Sequence, residues 1–500
     1  MKNLVAIIAF ALTAPFAFAQ NVELPDIGSS AGTILSPDEE RRYGQRMLYE
    51  LRRIDLVLDD ALVSDYVHAL GYRLVALSER PEQEFTFFVV RSNEINAFAA
   101  PGGYVGLNVG LMHTAESESE VAAVLAHEVA HVTQRHLVRA YESIQKASLP
   151  IALAMLGAII ASRNSSGDGT EAALIGGMGL LQQQQINFTR HNEYEADRVG
   201  IFTLAKAGFD VEAMAGFFSR MGRATRSNNS TEVPEFLRTH PITASRVTEA
   251  KNRVEAIRRD PPVVTESGAN EARFRLMRER AHVLTASEPA KLIDVYRREL
   301  KHADAARAPS QRYGLAIALL RSGQAEDARK ELDRLLLDDP GEIAFLLPHA
   351  QAQRLAGDAA GALQKLKALA EVAPDHRAVQ LAYAEALNSL GTRESGQQAM
   401  GVLRPVLAKV GTDPTTQASF ARACELAGED ARALEAHAEV ALYTGRPYDA
   451  MEQLKRLLER PKLDYYQRAR VEARIAELTP FMLELERQRM RREDQDESRT

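Results

Sequence analysis

Val124, Leu125, Ala126, His127, Glu128, Val129, Ala130 and His131 form the stretch on which the fold turns. His-Glu-x-x-His runs through it, and Val121, Ala122, Val124, Leu125, Ala126, Val129, Ala130 and Val132 make the segment apolar nearly all round. A helix of that composition is an interior helix, where unpaired polar groups are costly, so surface histidines are the weaker explanation. Four residues advance about 400° at 3.6 residues per turn, which points His127 and His131 the same way, spaced to hold a single Zn²⁺. Glu128, beside the first ligand, is placed to take a proton from water at the metal.

A catalytic zinc takes three protein ligands and leaves a fourth position open. The third ligand is expected in Asn192 to Arg198, where Glu193 and Asp197 lie four apart on one helical face. Glu193 can coordinate the metal, and Asp197 can accept an N–H from a ligating imidazole and so fix its tautomer. Glu195 falls on another face. His113 and His191 are not expected among the ligands, and His136 is expected at the surface or just outside the ligand shell. The run Gln182 to Gln185 is expected to be a polar helix face.

Around this centre, Ser36 to Glu40 starts a helix with a capping hydroxyl, an early proline and acids in the first turn, expected to reach about Leu58. Phe85 to Val90 and Tyr104 to Val109 read as strands, the second after the turn Pro101, Gly102, Gly103. Helices are expected from about Ser117 to Tyr141 and from Ile186 to Ala207, the latter ending near Gly208. Leu149 to Ala161 and Ala172 to Leu181 are apolar but short of the roughly 20 residues a membrane span needs. A buried or interfacial hairpin is expected there, with peripheral membrane contact through 149–181.

Lys2, the apolar stretch Leu4 to Phe18 and the small residues Ala17 and Ala19 read as a secretory signal peptide cut before Gln20, in preference to an uncleaved anchor. The 500 residues carry 61 Lys and Arg against 68 Asp and Glu, a balance of −7, which excludes an electrostatically driven nucleic-acid binder and a disordered acidic tail protein. The single cysteine, Cys424, cannot build an internal disulfide or a thiolate zinc site, so a metal here needs His and carboxylate ligands.

After about residue 265 the strand signal ends and a period appears. Gly323, Ala328, Leu332 and Pro340 recur 34 residues later as Gly357, Ala362, Leu366 and Pro374, and Gly391 continues the series. Gly428 and Ala433 return at half that interval as Gly445 and Ala450. A 34-residue period marks tetratricopeptide repeats, with irregularity around Gln397 to Pro405. The expected plan is a signal peptide (1–19), a mainly helical metallopeptidase domain with a small sheet (20–264), an α-solenoid of repeats (265–485) and a charged tail (486–500).

His127 to His131, followed by Glu193 to Asp197 as E-x-x-A-D on a later helix, resembles the HtpX and CAAX-prenyl-protease group of gluzincin metallopeptidases. With an export signal, no multi-span membrane core and a C-terminal repeat array, the resemblance narrows to the β-barrel assembly-enhancing branch, over nearly the whole mature chain. It implies one Zn²⁺ per chain, a periplasmic location, and misassembled or unfolded outer-membrane proteins and the β-barrel assembly machinery as partners. It also implies endoproteolysis joined to chaperone-like holding.

The same resemblance makes Asn96, Ala97, Phe98 and Ala99, with Pro101 to Gly103, the edge of a substrate cleft that an extended peptide could join. It makes His240, in Thr239-His240-Pro241, a switch that takes the water position, with Arg246 downstream. Chemistry alone leaves His240 or Arg246 as an oxyanion stabiliser, or His240 as a plain helix-entry residue. One rival is a non-proteolytic tetratricopeptide scaffold or chaperone with a latent or structural zinc site. Another is an intramembrane or prenyl-protein protease, which needs several hydrophobic spans.

Overall fold

The computed structural model describes residues 36–140, 142, 189–227, 235–262, 270–461 and 463–497. The expected signal peptide, the 149–181 hairpin, Gln182 to Gln185 and the 264/265 boundary lie outside the described residues.

Helix α1 (Pro37–Arg53) begins as its sequence dictates: the Ser36 hydroxyl accepts the Glu39 N–H, and the Glu39 carboxylate accepts the Ser36 N–H. It stops five residues before Leu58 because Asp55 turns left-handed, at φ 56°, and residues 56–58 pair with a strand instead. The Leu58 N–H donates to Val89, and the Arg91 N–H to Leu56. Helix α2 (Ala61–Ala76) follows, then β1 (Thr86–Val90), β2 (Ala97–Ala100) and β3 (Tyr104–Asn108). Both expected extended stretches are thus strands, and the Asn96 to Ala99 segment supplies most of the third.

The sheet order is β1-β3-β2, with β1 parallel and β2 antiparallel to β3. Residues 56–58 cover the outer side of β1, so β2 is left as the open edge among the described residues.

Helix α3 (Val109–Thr114) leads into α4 (Glu118–Thr133), the His-Glu-x-x-His helix, whose residues from Glu118 to Ala130 are all buried. Val121, Leu125 and Val129 pack with Leu70 and Leu74 of α2, Val105 and Leu107 of β3, and Phe217 in one core. Helix α4 ends at Thr133, short of the expected Tyr141, because Arg135 takes a left-handed conformation, at φ 54°, before helix resumes at His136. Helix α5 (189–206) ends at the left-handed Gly208, as expected. Helices α6 (Glu212–Ser227), α7 (Glu235–Thr239) and α8 (Ala244–Arg259) complete the catalytic half.

The second half is a succession of helices, each packed on the next: α9 (Glu271–Thr285), α10 (Pro289–Glu299), α11 (Ala308–Arg321), α12 (Ala325–Asp338), α13 (Ile343–Leu355), α14 (Ala359–Val372), α15 (Arg377–Ser389), α16 (Arg393–Lys409), α17 (Pro414–Ala427), α18 (Asp430–Tyr443), α19 (Pro447–Leu458) and α20 (Tyr465–Glu497). Gly323, Gly357 and Gly391 each follow the first helix of a pair with φ between 71° and 103°, a turn that strains any residue with a Cβ. Ala328, Leu332, Ala362 and Leu366 are buried between helices. The irregular stretch is one long helix, α16, with Pro405 inside it. Helix α20 runs unbroken across residue 485, where the sequence pointed to a tail.

The array curls back onto the catalytic half. The Arg280 guanidinium grips Asp60 through two bonds of 2.8 and 2.7 Å, and Arg377 Nε lies 2.8 Å from Asp65. At the far end Tyr443 packs on Tyr49 of α1, and the Arg46 guanidinium sits over Phe481. Among the described residues no helix is long and apolar enough to cross a membrane.

Candidate metal centre

Helices α4 and α5 meet through small residues: Ala130, Ala196 and Val199 form one buried cluster. At Gly200 an added Cβ would come within 3.1 Å of the Ala126 carbonyl oxygen and the His127 nitrogen, so the two backbones touch there. Two turns earlier on α5, Glu193 therefore faces His127 and His131.

His131 Nε2 lies 3.0 Å from His127 Nε2. Glu193 closes the triangle, with Oε2 3.4 Å from His127 Nε2 and Oε1 3.3 Å from His131 Nε2. Zinc bonds of about 2.0–2.1 Å in a tetrahedron set neighbouring donors about 3.3 Å apart, so the three residues present donors at the spacing of one tetrahedral face, Glu193 offering a different oxygen to each imidazole. His240 Nδ1 stands at the remaining corner, 3.3 Å from His127 Nε2 and 3.1 Å from Glu193 Oε1. The four residues form the one group of metal-binding character among the described residues. Two imidazoles and a carboxylate are a donor set suited to zinc.

Behind the first histidine, His127 Nδ1 is 3.0 Å from Asp197 Oδ1. Arg246 holds Asp197 through two bonds of 2.7 Å, reaches Glu193 Oε2 at 2.8 Å and donates to the Pro241 carbonyl. Its guanidinium also lies over the Phe218 ring. Arg246 thus braces both acids.

Glu128 is buried, and its Oε1 has no hydrogen-bond partner; His240 Nε2 lies 3.4 Å from it. Helix α4, which carries Glu128, packs on β2, the open strand. His240 is carried by α7, which is fastened beside that strand by the Phe236 N–H donating to the Ile95 carbonyl at 3.1 Å.

His113 stacks on His282, outside this group, and His191 is exposed. His136 is buried and its Nδ1 is 2.9 Å from His131 Nδ1, while its Nε2 is 3.2 Å from Glu195 Oε2. That contact was not visible in the sequence, where a spacing of five residues does not share a helix face.

Burial opposes a charge on His127, but the Asp197 and Glu193 carboxylates outweigh it and hold the imidazole up at about 10. Burial, against the pull of Glu193, pushes His131 down to about 3, and burial likewise takes His136 down to about 4. Glu193 is held far below the usual carboxylate range: burial works against this, and the surrounding imidazoles overcome it. Burial pushes the Glu128 carboxyl up.

A metal ligand must be unprotonated, so His127 has one proton to give up when zinc arrives at neutral pH. Zinc binding is expected to release about one proton, and affinity to rise about tenfold per pH unit between roughly 7 and 9. Calorimetry in buffers of different ionisation enthalpy measures both; a pH-independent affinity over that range would contradict the assignment of His127.

An interior His-Glu-x-x-His helix, an acid from a second helix and an open strand together define a metallopeptidase. Residues 61–254 match peptidase family M48. The β-barrel assembly-enhancing protease of Escherichia coli (strain K12) is 33% identical over 482 residues, covering 95% of this chain and 96% of the relative. That of Yersinia pestis is 32% identical over 91% of each chain. A putative member from Vibrio cholerae is 40% identical over 66% of this chain and 67% of its own. The chain belongs to family M48 and, within it, to the β-barrel assembly-enhancing proteases. It is a metalloendopeptidase, and His127, His131 and Glu193 form its candidate zinc site.

Proposed function

We propose that this protein is a periplasmic zinc endopeptidase held latent by His240, acting on misassembled outer-membrane β-barrel proteins that its helical array holds. The observation that carries the proposal is the four-cornered group, in which His240 Nδ1 takes the corner a substrate-activating water needs. The names of the relatives support the client class, and the expected export signal supports the compartment. Residues 20–264 are the peptidase half and 265–485 the holding half, and the apolar stretches within 149–181 supply a peripheral membrane contact.

His127, His131 and Glu193 would hold the zinc, which when bound polarises a peptide carbonyl and acidifies water. Asp197 and Arg246 fix the ring of His127 and the carboxylate of Glu193 in place. A client backbone lies along the outer edge of β2, and main-chain hydrogen bonds straighten it without demanding particular side chains. Helix α4 packs on that strand, so the scissile bond and the base share one support. Glu128 Oε1 takes the proton of the attacking water and later delivers it to the leaving amine.

In the structure His240 covers both needs of the reaction at once. Its Nδ1 fills the fourth corner and its Nε2 faces the base. Cleavage therefore requires α7 and His240 to swing away.

The test is zinc content together with cleavage of a urea-unfolded outer-membrane β-barrel protein by the full chain. One zinc per chain is expected, with cleavage that stops on chelation and returns with added zinc. Cleavage indifferent to chelator, or a chain that binds no zinc, would overturn the proposal.

A further inference from the structure

The two zinc-site histidines are supported differently. His127 leans on a carboxylate in the usual manner, Asp197, held by Arg246. His131 has no acid behind it; its outer nitrogen meets another imidazole.

We infer that His136 and Glu195 form a positioning relay for His131, in which the His131 Nδ1–H donates to His136 Nδ1 and the His136 Nε2–H donates to Glu195. The inference rests on the zinc reading above and extends it to the second ligand.

The geometry forces the direction of each bond. His131 turns Nε2 toward Glu193 and His127, so as a ligand it must carry its proton on Nδ1. That N–H points at His136 Nδ1, 2.9 Å away, which must then be the bare nitrogen of a neutral ring. The proton of that ring is left on Nε2, 3.2 Å from Glu195 Oε2, an anion in a position to accept it. Glu195 is steadied in turn by Arg139 Nη1 at 3.0 Å. Each end of the chain thus has one assignment only.

The fold makes a specific provision for this contact. Had α4 continued, residue 136 would lie five steps on from His131, about 140° round the helix, facing away. The left-handed Arg135 ends the helix and swings His136 back over the His131 ring, to a centroid distance of 4.8 Å. A non-glycine residue in that conformation is uncommon and needs outside support. Arg135 has it in an ion pair with Glu40 of α1. Glu195 arrives from α5 between the ligand Glu193 and the orienting Asp197, so a single turn of α5 serves both histidines.

An acceptor on the far nitrogen of a ligating imidazole fixes the tautomer and raises its basicity, and its loss costs about 10–100-fold in metal affinity. His136→Phe keeps the ring volume and removes the acceptor; His136→Gln keeps an oxygen within reach of the same N–H. The experiment is zinc affinity by chelator competition on the full chain, with metal-free thermal unfolding as the check on folding. His136→Phe is expected to bind zinc about 10–100-fold more weakly and His136→Gln within a few-fold of wild type. Should His136→Phe not fold, Glu195→Leu carries the test, with a loss in the same direction. In Co²⁺-substituted protein the ligand-field bands should shift in the weakened variants and return in His136→Gln, which a merely structural role would not produce.

His131→Ala separates the two levels of the claim. Wild-type affinity in His131→Ala overturns the zinc assignment itself. Loss in His131→Ala with wild-type affinity in a folded His136→Phe or Glu195→Leu overturns the relay alone.

Discussion

Glu128→Gln is expected to bind zinc as the wild type does and to cleave about 10²–10⁴-fold more slowly, the usual worth of a positioned general base. The amide is close to the carboxylic acid in shape, and burial already pushes the Glu128 carboxyl toward its neutral form, so the metal-free fold should be little disturbed. Zinc retention matters as much as lost activity, because it tells a base from a ligand: Glu128 is absent from the group of donor atoms around His127, His131 and Glu193. Bound zinc with undiminished proteolysis would sink the assignment. The measurement is zinc content beside single-turnover cleavage of an unfolded client.

The second large effect has the opposite sign. His240→Ala removes the ring that occupies the fourth corner and faces Glu128. If the open state of the wild type is populated at about 1–10%, a range common for minor conformers, removing the plug raises cleavage about 10–100-fold. Zinc should bind somewhat less tightly, one donor having gone. Combining His240→Ala with Glu128→Gln should abolish the gain, which shows that the new activity belongs to this site and not to a contaminant. A fall in cleavage on His240→Ala alone would mean that His240 stabilises the oxyanion, and the latency account would fail. No cleavage in any variant, with zinc bound, would favour the scaffold with a structural metal.

What the sequence disclosed was what depends on the pitch of a single helix. His127 and His131 share a face because they are one turn apart, and so do Glu193 and Asp197. The 34-residue recurrence was equally visible, since each helix pair repeats the same local solution: a left-handed glycine at the turn, then Ala and Leu against the neighbour. The rest depended on distant partners. Helix α1 stops at Arg53 because residues 56–58 find β1, more than 30 residues on. Helix α4 stops at Thr133 with neither glycine nor proline to mark it, and the left-handed turn falls on an arginine that pairs with Glu40. With that turn hidden, His136 read as a residue either at the surface or just outside the ligand shell, with no partner named for it, and Glu195 as an acid on another face. The packing of Tyr443 on Tyr49 left no local trace, since each is an ordinary apolar position of its own helix.

Helix α1, 17 residues long, has its two ends in different hands. Near its C-terminus Tyr49 is seated against the closing helices of the array, and near its N-terminus Glu40 braces the turn that tips His136 over His131. It is a rigid rod between the cargo-bearing limb of the molecule and the back of its metal pocket. Any load that prises the array outward is therefore delivered, through one lever, to His136 and by way of it to His131.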